Sequence, residues 1–535
     1  MQRRRKLIER NYNTLSSMIK ENIISILTAT IILIIIYCYY HTKIAVSSDS
    51  TTMLPLAMDF SSGNFLLKGW VTGTNNFFFT ETIFYIPGLL LGISGYKLEA
   101  FISSLTMACI VVGLYYTFLR DNRFKYLAAV AILTTVGLVS MGTAYTLLNA
   151  NSHNGSYALL FVVLAFISQY RKTGHLSWLF GYYALGTLIM YSDGISLMSM
   201  IAPVVLVCMY MTVRNCFDDW KQGLLNNTFY VKIAFVSLLI WASAKGINWF
   251  ITSIGGLVTR GLPMRLVGLD TAWDRAAQYE HQFLLMWGYN YGAFGKFSVV
   301  YNFLITIIII LFFASIFYYT AQILRGTISE RNLFSWLVVT LNIAGCLFTN
   351  TAIFHRYLVP LYLFGTVLVL CMLDDLLSEI PRKRSIILKV VWTLCVVCFV
   401  LIGANRSLAI YKATPSMNNL KEVAAFLDKQ DWGDGYGQFW CASITASLMD
   451  FRKNIIMVTT NQYNFIAYPE LIKKSWYSQK GIHYTLTYID DKANSIVSLK
   501  NTDILSFLGT PDKTYDIGIY RIMYWDKDIS DYLLK

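Results

Sequence analysis

The sequence predicts an all-α polytopic membrane protein with a small C-terminal α/β domain. Three observations carry that fold class. Of the 535 residues, 56% are hydrophobic and only 14% charged, where a soluble domain would carry about a quarter charged. Apolar runs such as 22–40 and 298–322 are long enough to cross a hydrocarbon layer as helix. From residue 413 onward, hydrophobicity falls and charge rises. The runs lack the alternation of an outer-membrane barrel.

Each span follows from its run and its flanks. Arg3, Arg4, Arg5, Lys6 and Arg10 place the N-terminus in the cytoplasm, and the run after them is too long for a cleavable signal. Beyond 22–40, spans are expected at 98–118, 126–147, 156–170, 177–191, 195–213, 231–253, 298–322, 333–348, 357–377 and 386–405. A broken or re-entrant piece is expected at 83–95. That makes about eleven spans, with the basic loops RDNRFK, RKTGH, RNCFDDWK, RGTISER and PRKR alternating on the inner side. The membrane domain is 1–412, with external loops at 41–82 and 254–297, and the extracytoplasmic domain is 413–535. In the latter, NNLKEVAAFLDKQ has helical periodicity, while NIIMVTT, HYTLTYI and DIGIYRIMYW read as strands.

The net charge of +13 is explained by cytoplasmic loops. No basic stripe interleaved with aromatics occurs in a soluble stretch, so nucleic acid is excluded as a partner. Cys395 and Cys398 form a CxxC inside a span without a partner pair, which does not make a zinc site. Cys441 is alone in the C-terminal region, so no internal disulfide is available there.

The chemistry is expected on the outer face. The topology puts Asp49, Asp59, Glu81, His153, Asp193, His281, His355 and Arg356 together there, and ionisable groups near membrane level are costly unless used. Asp49, in SSDSTTMLPLAMDF, is the candidate general base: a sugar hydroxyl is a poor nucleophile until a carboxylate takes its proton. The same residue would also serve as an N-cap of a short amphipathic helix. Asp59, ten residues on, is too far along such a helix to share one reacting atom with Asp49, so it orients substrate or caps structure. Glu81 returns from the far end of the loop. Asp193, in YSDGIS, opens a span or binds substrate, and His153, in SHNGS, reads as a surface histidine or a substrate contact. His355–Arg356–Tyr357 begins a span: an Arg there can fork onto a phosphate and stabilise the charge that grows as it leaves. Arg265 and His281 are lesser candidates for that task. Tyr39, Tyr40 and Phe77–Phe79 read as interfacial anchors.

Taken together, SSDSTTMLPLAMDFSSGNFLLKGW, YSDGIS, FHRYLVPLYL, YGQFWCASITASL and SWYSQKG make the chain resemble the GT-C superfamily of membrane glycosyltransferases, including bacterial serotype-converting O-antigen glucosyltransferases. The resemblance implies a polyprenyl-phosphate-sugar donor, a polysaccharide or glycolipid acceptor, inverting single displacement and a bacterial inner-membrane location. It places Asp49 at the catalytic acid position of the first loop and Arg356 loosely at a family position. Asp49–Ser50 departs from a paired-acid motif, so no cofactor is expected and metal dependence stays open. A flippase for lipid-linked sugars would need polar groups through the membrane and pseudo-symmetric halves, which the sequence lacks. A polysaccharide polymerase or ligase would rely on external Arg and His without Asp49.

Overall fold

The computed structural model describes residues 23, 25–41, 47–93, 95–137, 141–150, 152–216, 227–261, 264–289, 296–351, 353–378, 385–412, 415–461, 465–490 and 499–534. Among the described residues, each span expected from the sequence falls on helix. In chain order these are α1 (Ser25–His41), then, after two short helices α2 (Ser48–Thr51) and α3 (Met53–Ser61), α4 (Gly95–Leu119), α5 (Lys125–Gly137), α6 (Met141–Leu147), α7 (Asn154–Thr173), α8 (Leu176–Ser192), α9 (Leu197–Cys216) and α10 (Thr228–Ser253). A further helix, α11 (Leu269–Met286), precedes α12 (Lys296–Leu324), α13 (Glu330–Phe348), α14 (His355–Ser378) and α15 (Ser385–Lys412). Among the described residues, six helices are long and apolar enough to cross a membrane by themselves. The protein is a multi-pass membrane protein.

The bundle is organised around α14, which is buried along nearly its whole length between Leu358 and Leu373. A helix apolar all round belongs in the middle of a bundle, and α14 packs against α13, α12 and α6. Pro360 lies inside it. Its missing N–H leaves the carbonyl of Arg356, four residues back, without a helical donor and loosens the first turn, where Arg356 sits. The expected broken piece is a 3₁₀ turn at Thr82–Phe84 followed by a helix at Tyr85–Leu90. The segment 254–297, read as a loop, contains the eighteen-residue α11. Its Arg275 donates to the carbonyls of Cys346 and Thr351 and so fastens it beside the end of α13.

The C-terminal region is α/β. Helices α16 (Pro415–Asp428) and α17 (Phe439–Leu448) accompany a seven-stranded mixed sheet. Its core is Gly435–Gly437 flanked in parallel by Ile455–Thr460 and Tyr484–Tyr488. The stretch DIGIYRIMYW, read as one strand, is part of a hairpin. Lys513–Ile517 and Tyr520–Tyr524 pair antiparallel, with Gly518 at φ +59° turning the chain between them. Cys441 is buried and free.

A second, three-stranded sheet joins three distant segments. Strand Trp70–Thr72 pairs in parallel with Val258–Thr259 and antiparallel with Ile472–Lys473. These strands are two or three residues long, too short to stand alone. They hold because each is anchored in a larger unit, and they bring the loops after α1 and α10 onto the C-terminal domain. Helix α17 also packs on α2 and α4.

Candidate active site

Asp49 sits in the first turn of α2. The N-cap is Ser47, whose extended backbone (φ −81°, ψ 144°) precedes the helix and whose Oγ accepts from the Asp49 N–H at 3.1 Å. The capping role that the sequence also offered Asp49 therefore belongs to Ser47, and the Asp49 carboxylate is released for other work. Its Oδ2 accepts from Arg356 Nη1 at 3.2 Å, across 307 positions of sequence. Neither partner is sealed: their side chains keep 20% and 34% exposure. Burial pushes the Asp49 pKa above its ordinary value, and the Arg356 charge pulls the other way without cancelling it. Arg356 is flanked by the rings of Phe354 and Tyr357, 5.9 and 5.5 Å from its guanidinium carbon.

Asp59 looks elsewhere. Its carboxylate accepts from Lys473 Nζ, Trp70 Nε1 and Asn64 Nδ2, each at 2.7 Å. Burial would raise its pKa, but these three donors outweigh it and hold the carboxyl below its ordinary value. This is a fastener between α3, the loop after it and the C-terminal domain, which accounts for all the donors around the carboxylate without invoking a ligand.

His153, which the sequence left open to a surface reading, is buried. Its backbone is left-handed (φ +68°), unusual for a non-glycine residue, and the turn carries the ring inward. Nδ1 lies 2.9 Å from both carboxylate oxygens of Asp193, and Ser156 Oγ donates to Asp193 Oδ2 at 2.5 Å. Asp193 closes α8 as its C-cap, correcting the expectation that it opens a helix. Its Oδ1 also accepts from the Ile195 N–H at 3.2 Å. The His153 ring touches Phe77 and Tyr357, with centroids 5.3 and 5.5 Å away. Through Tyr357, this pair backs onto Arg356. Phe77 and Phe78 are buried packing residues, and so is Tyr40, in place of the interfacial anchoring expected of them; Tyr39 is exposed.

Glu81 is 3% exposed and lines a small cavity with Ile102, Ser103, Thr106, Asn149, Ala150 and Asn154. Directly beside it, Gly155 must be glycine: an added Cβ would lie 1.7 Å from the Thr80 carbonyl oxygen. His355 is half-buried near His281, which is exposed. Arg265 is exposed too, and its backbone N–H donates to Asn350 Oδ1 at 2.8 Å. The structure thus gathers Asp49, Arg356, Tyr357, His153 and Asp193 into one region. It uses Asp59 as a fastener and leaves Arg265 and His281 on its margin.

Three neighbours of the site were not singled out from the sequence. Glu470, of the C-terminal domain, interacts electrostatically with Asp49, Arg260 and Arg356. Tyr468 stacks on Phe439 of α17 at 4.7 Å and feels the charges of Glu470 and Asp49. Arg260, exposed, donates its backbone N–H to the carbonyls of Thr72 and Gly73. Nothing in the local sequence marks Glu470 or Tyr468, because only the three-stranded sheet brings them to α2, whereas Arg260 is one of the basic residues of the external segment 254–297. Among the described residues, no group of three or more His, Cys, Asp or Glu is placed to hold a metal ion.

Set against solved structures, the chain matches the crystal structure of ArnT from Cupriavidus metallidurans in the apo state with a TM-score of 0.54 and 10% identity, over 97% of this chain and 100% of that one. The fold is ArnT-like. The structure of ArnT from the same organism bound to undecaprenyl phosphate matches with a TM-score of 0.52 and 8% identity, over 94% of this chain and 97% of that one. No family model and no curated protein matches. The ArnT likeness bears out the expected fold, a helical membrane bundle with a small C-terminal α/β domain; at such low identity it speaks for fold and not for chemistry.

Proposed function

We propose that this protein is a membrane glycosyltransferase that moves a sugar from a polyprenyl-phosphate donor to a hydroxyl of a polysaccharide or glycolipid on the outer face of a bacterial inner membrane. The observation that carries the reading is the Asp49–Arg356 pair: a carboxylate of raised pKa and a guanidinium, both partly open to solvent, at the mouth of a membrane bundle. The ArnT-like fold supports it, since one of the ArnT structures holds undecaprenyl phosphate.

In this reading the acceptor hydroxyl attacks the anomeric carbon and its proton passes to the Asp49 carboxylate. The bond from that carbon to the phosphate oxygen breaks, and its electron pair stays on the phosphate. The anion that forms is met by Arg356, whose planar fork has donors enough for both Asp49 and a phosphate. Attack from the face opposite the leaving group inverts the anomeric centre. The buried His153–Asp193 pair holds Tyr357 and, through it, the start of α14. Glu81, His281, His355 and Arg265 surround the sugar and acceptor, and the N-terminus is cytoplasmic. O-antigen is one acceptor of the proposed class and a hexose one donor sugar.

The test is transfer itself. Purified protein in nanodiscs is given polyprenyl-phosphate hexoses and lipid-linked glycan acceptors, and products are read by mass spectrometry. Donor-dependent addition of one sugar with inverted anomeric configuration is expected. Failure of every polyprenyl-phosphate donor, with the protein folded, would remove the reading.

A further inference from the structure

Charges of both signs meet near Asp49: the carboxylates of Asp49 and Glu470 and the guanidiniums of Arg356 and Arg260. They come from four segments far apart in sequence. Glu470 is half-buried and is the one contributed by the C-terminal domain. Its position is built. The Val71–Ile472 register brings the chain beside Gly73, whose missing side chain makes room: a Cβ there would lie 2.9 Å from Glu470 Oε2. Arg260 joins the same corner, bonding through its backbone to Thr72 and Gly73 and through Nη1 to the Pro469 carbonyl at 3.5 Å. A carboxylate that feels two guanidiniums and a second carboxylate is an unusual neighbour for a phosphate site, because it competes for the same positive field.

We infer that Glu470 sets how tightly the lipid phosphate is held, by competing with it for Arg260 and Arg356. Glu470 thereby acts as a release device supplied by the C-terminal domain. This rests on the proposed donor class and goes beyond it. The chemistry gives the device a purpose. The donor is a phosphodiester with one negative charge; the product lipid phosphate approaches two. Two arginines alone would hold the product more tightly than the donor and slow turnover. A fixed carboxylate penalises the more highly charged species most, because repulsion scales with the product of the charges. Glu470 is a positioning residue here, since it acts on the phosphate through the arginines and its own field. The groups facing it are Asp49, Arg356 and Arg260, with Tyr468 two residues away.

The test is direct binding of undecaprenyl monophosphate to the full-length protein in nanodiscs, together with its inhibition of transfer. Glu470→Gln is expected to bind the lipid phosphate roughly three- to tenfold more tightly and to lower kcat and donor KM together. Arg260→Gln is expected to bind it more weakly by a similar factor. Glu470→Asp, which keeps the charge, should stay near wild type. Unchanged or weakened binding by Glu470→Gln would overturn the inference, as would parallel losses in Glu470→Gln and Glu470→Asp, the mark of a merely structural role. If the wild type binds no lipid phosphate, the donor reading falls first and the inference falls with it. If the wild type binds and Glu470→Gln does not differ, only the inference falls.

Discussion

Two acid–base pairs lie close together in this protein, and they are built to opposite specifications. His153–Asp193 is sealed, with side chains 2% and 0% exposed. Its carboxylate accepts from the ring, from Ser156 and from the Ile195 N–H. Asp49–Arg356 is half-open, and the Asp49 carboxylate receives one 3.2 Å bond from its arginine. A buried pair with its donors satisfied resists rearrangement, since breaking it strands a charge away from water. A partly solvated pair can exchange partners at small cost. Such a build suits the first pair to support and the second to the chemistry proposed for it.

Variants sharpen that division. The largest change in stability is expected from Asp193→Ala, which leaves His153 and Ser156 unpaired in the interior: a loss of about 3–5 kcal/mol, visible as a fall in Tm in detergent or nanodiscs. A loss below about 1 kcal/mol would place the pair in the same loose class as Asp49–Arg356. Next, Arg356→Gln should lower sugar transfer about 10²–10³-fold, as removal of one charge-stabilising donor does, with little change in Tm. A large drop in Tm with wild-type turnover would invert the assignment.

The fastener is expected to count for less. Lys473→Met breaks a bond to a carboxylate that keeps two other donors, at about 1–2 kcal/mol. It should raise protease sensitivity around the first loop before it affects transfer. The sign of its pH dependence follows from Asp59. Its folded pKa lies below the ordinary value of 3.8, so its contribution is present above that value and is lost as pH falls beneath it. Asp49 runs the other way. Its folded pKa lies above 3.8, so the fold favours its protonated form, and ionising it costs stability as pH rises through the folded value. The smallest effect is a shift in the pH–rate profile: the acid limb should lie above the ordinary aspartate range, and Arg356→Lys, a weaker fork, should move it further up. A limb that stays near 3.8 in both proteins would detach Asp49 from the rate.

Much of the architecture was readable in the residues. Long apolar runs admit few structures in a membrane, so the spans fell on helices. Asp49 and Arg356 could be picked out because charge beside a membrane segment stands out against an apolar background. What escaped was assembled by tertiary contact. His153 looked like a surface residue because SHNGS is polar, yet its left-handed backbone turns the ring inward to Asp193. The strands at Trp70–Thr72, Val258–Thr259 and Ile472–Lys473 are too short to leave a periodicity. Without them, neither the Asp59–Lys473 bond nor the approach of Glu470 to Asp49 could be foreseen. Ser47 took the cap that Asp49 might have filled, a choice between adjacent hydroxyls and carboxylates that composition does not decide.

The most direct measurement is transfer by Asp49→Asn beside its thermal stability. Removing an ionised carboxylate that the fold disfavours should leave Tm unchanged or raised, while transfer from a polyprenyl-phosphate sugar falls about 10²–10⁴-fold. Folded Asp49→Asn protein that turns over at the wild-type rate would contradict the account.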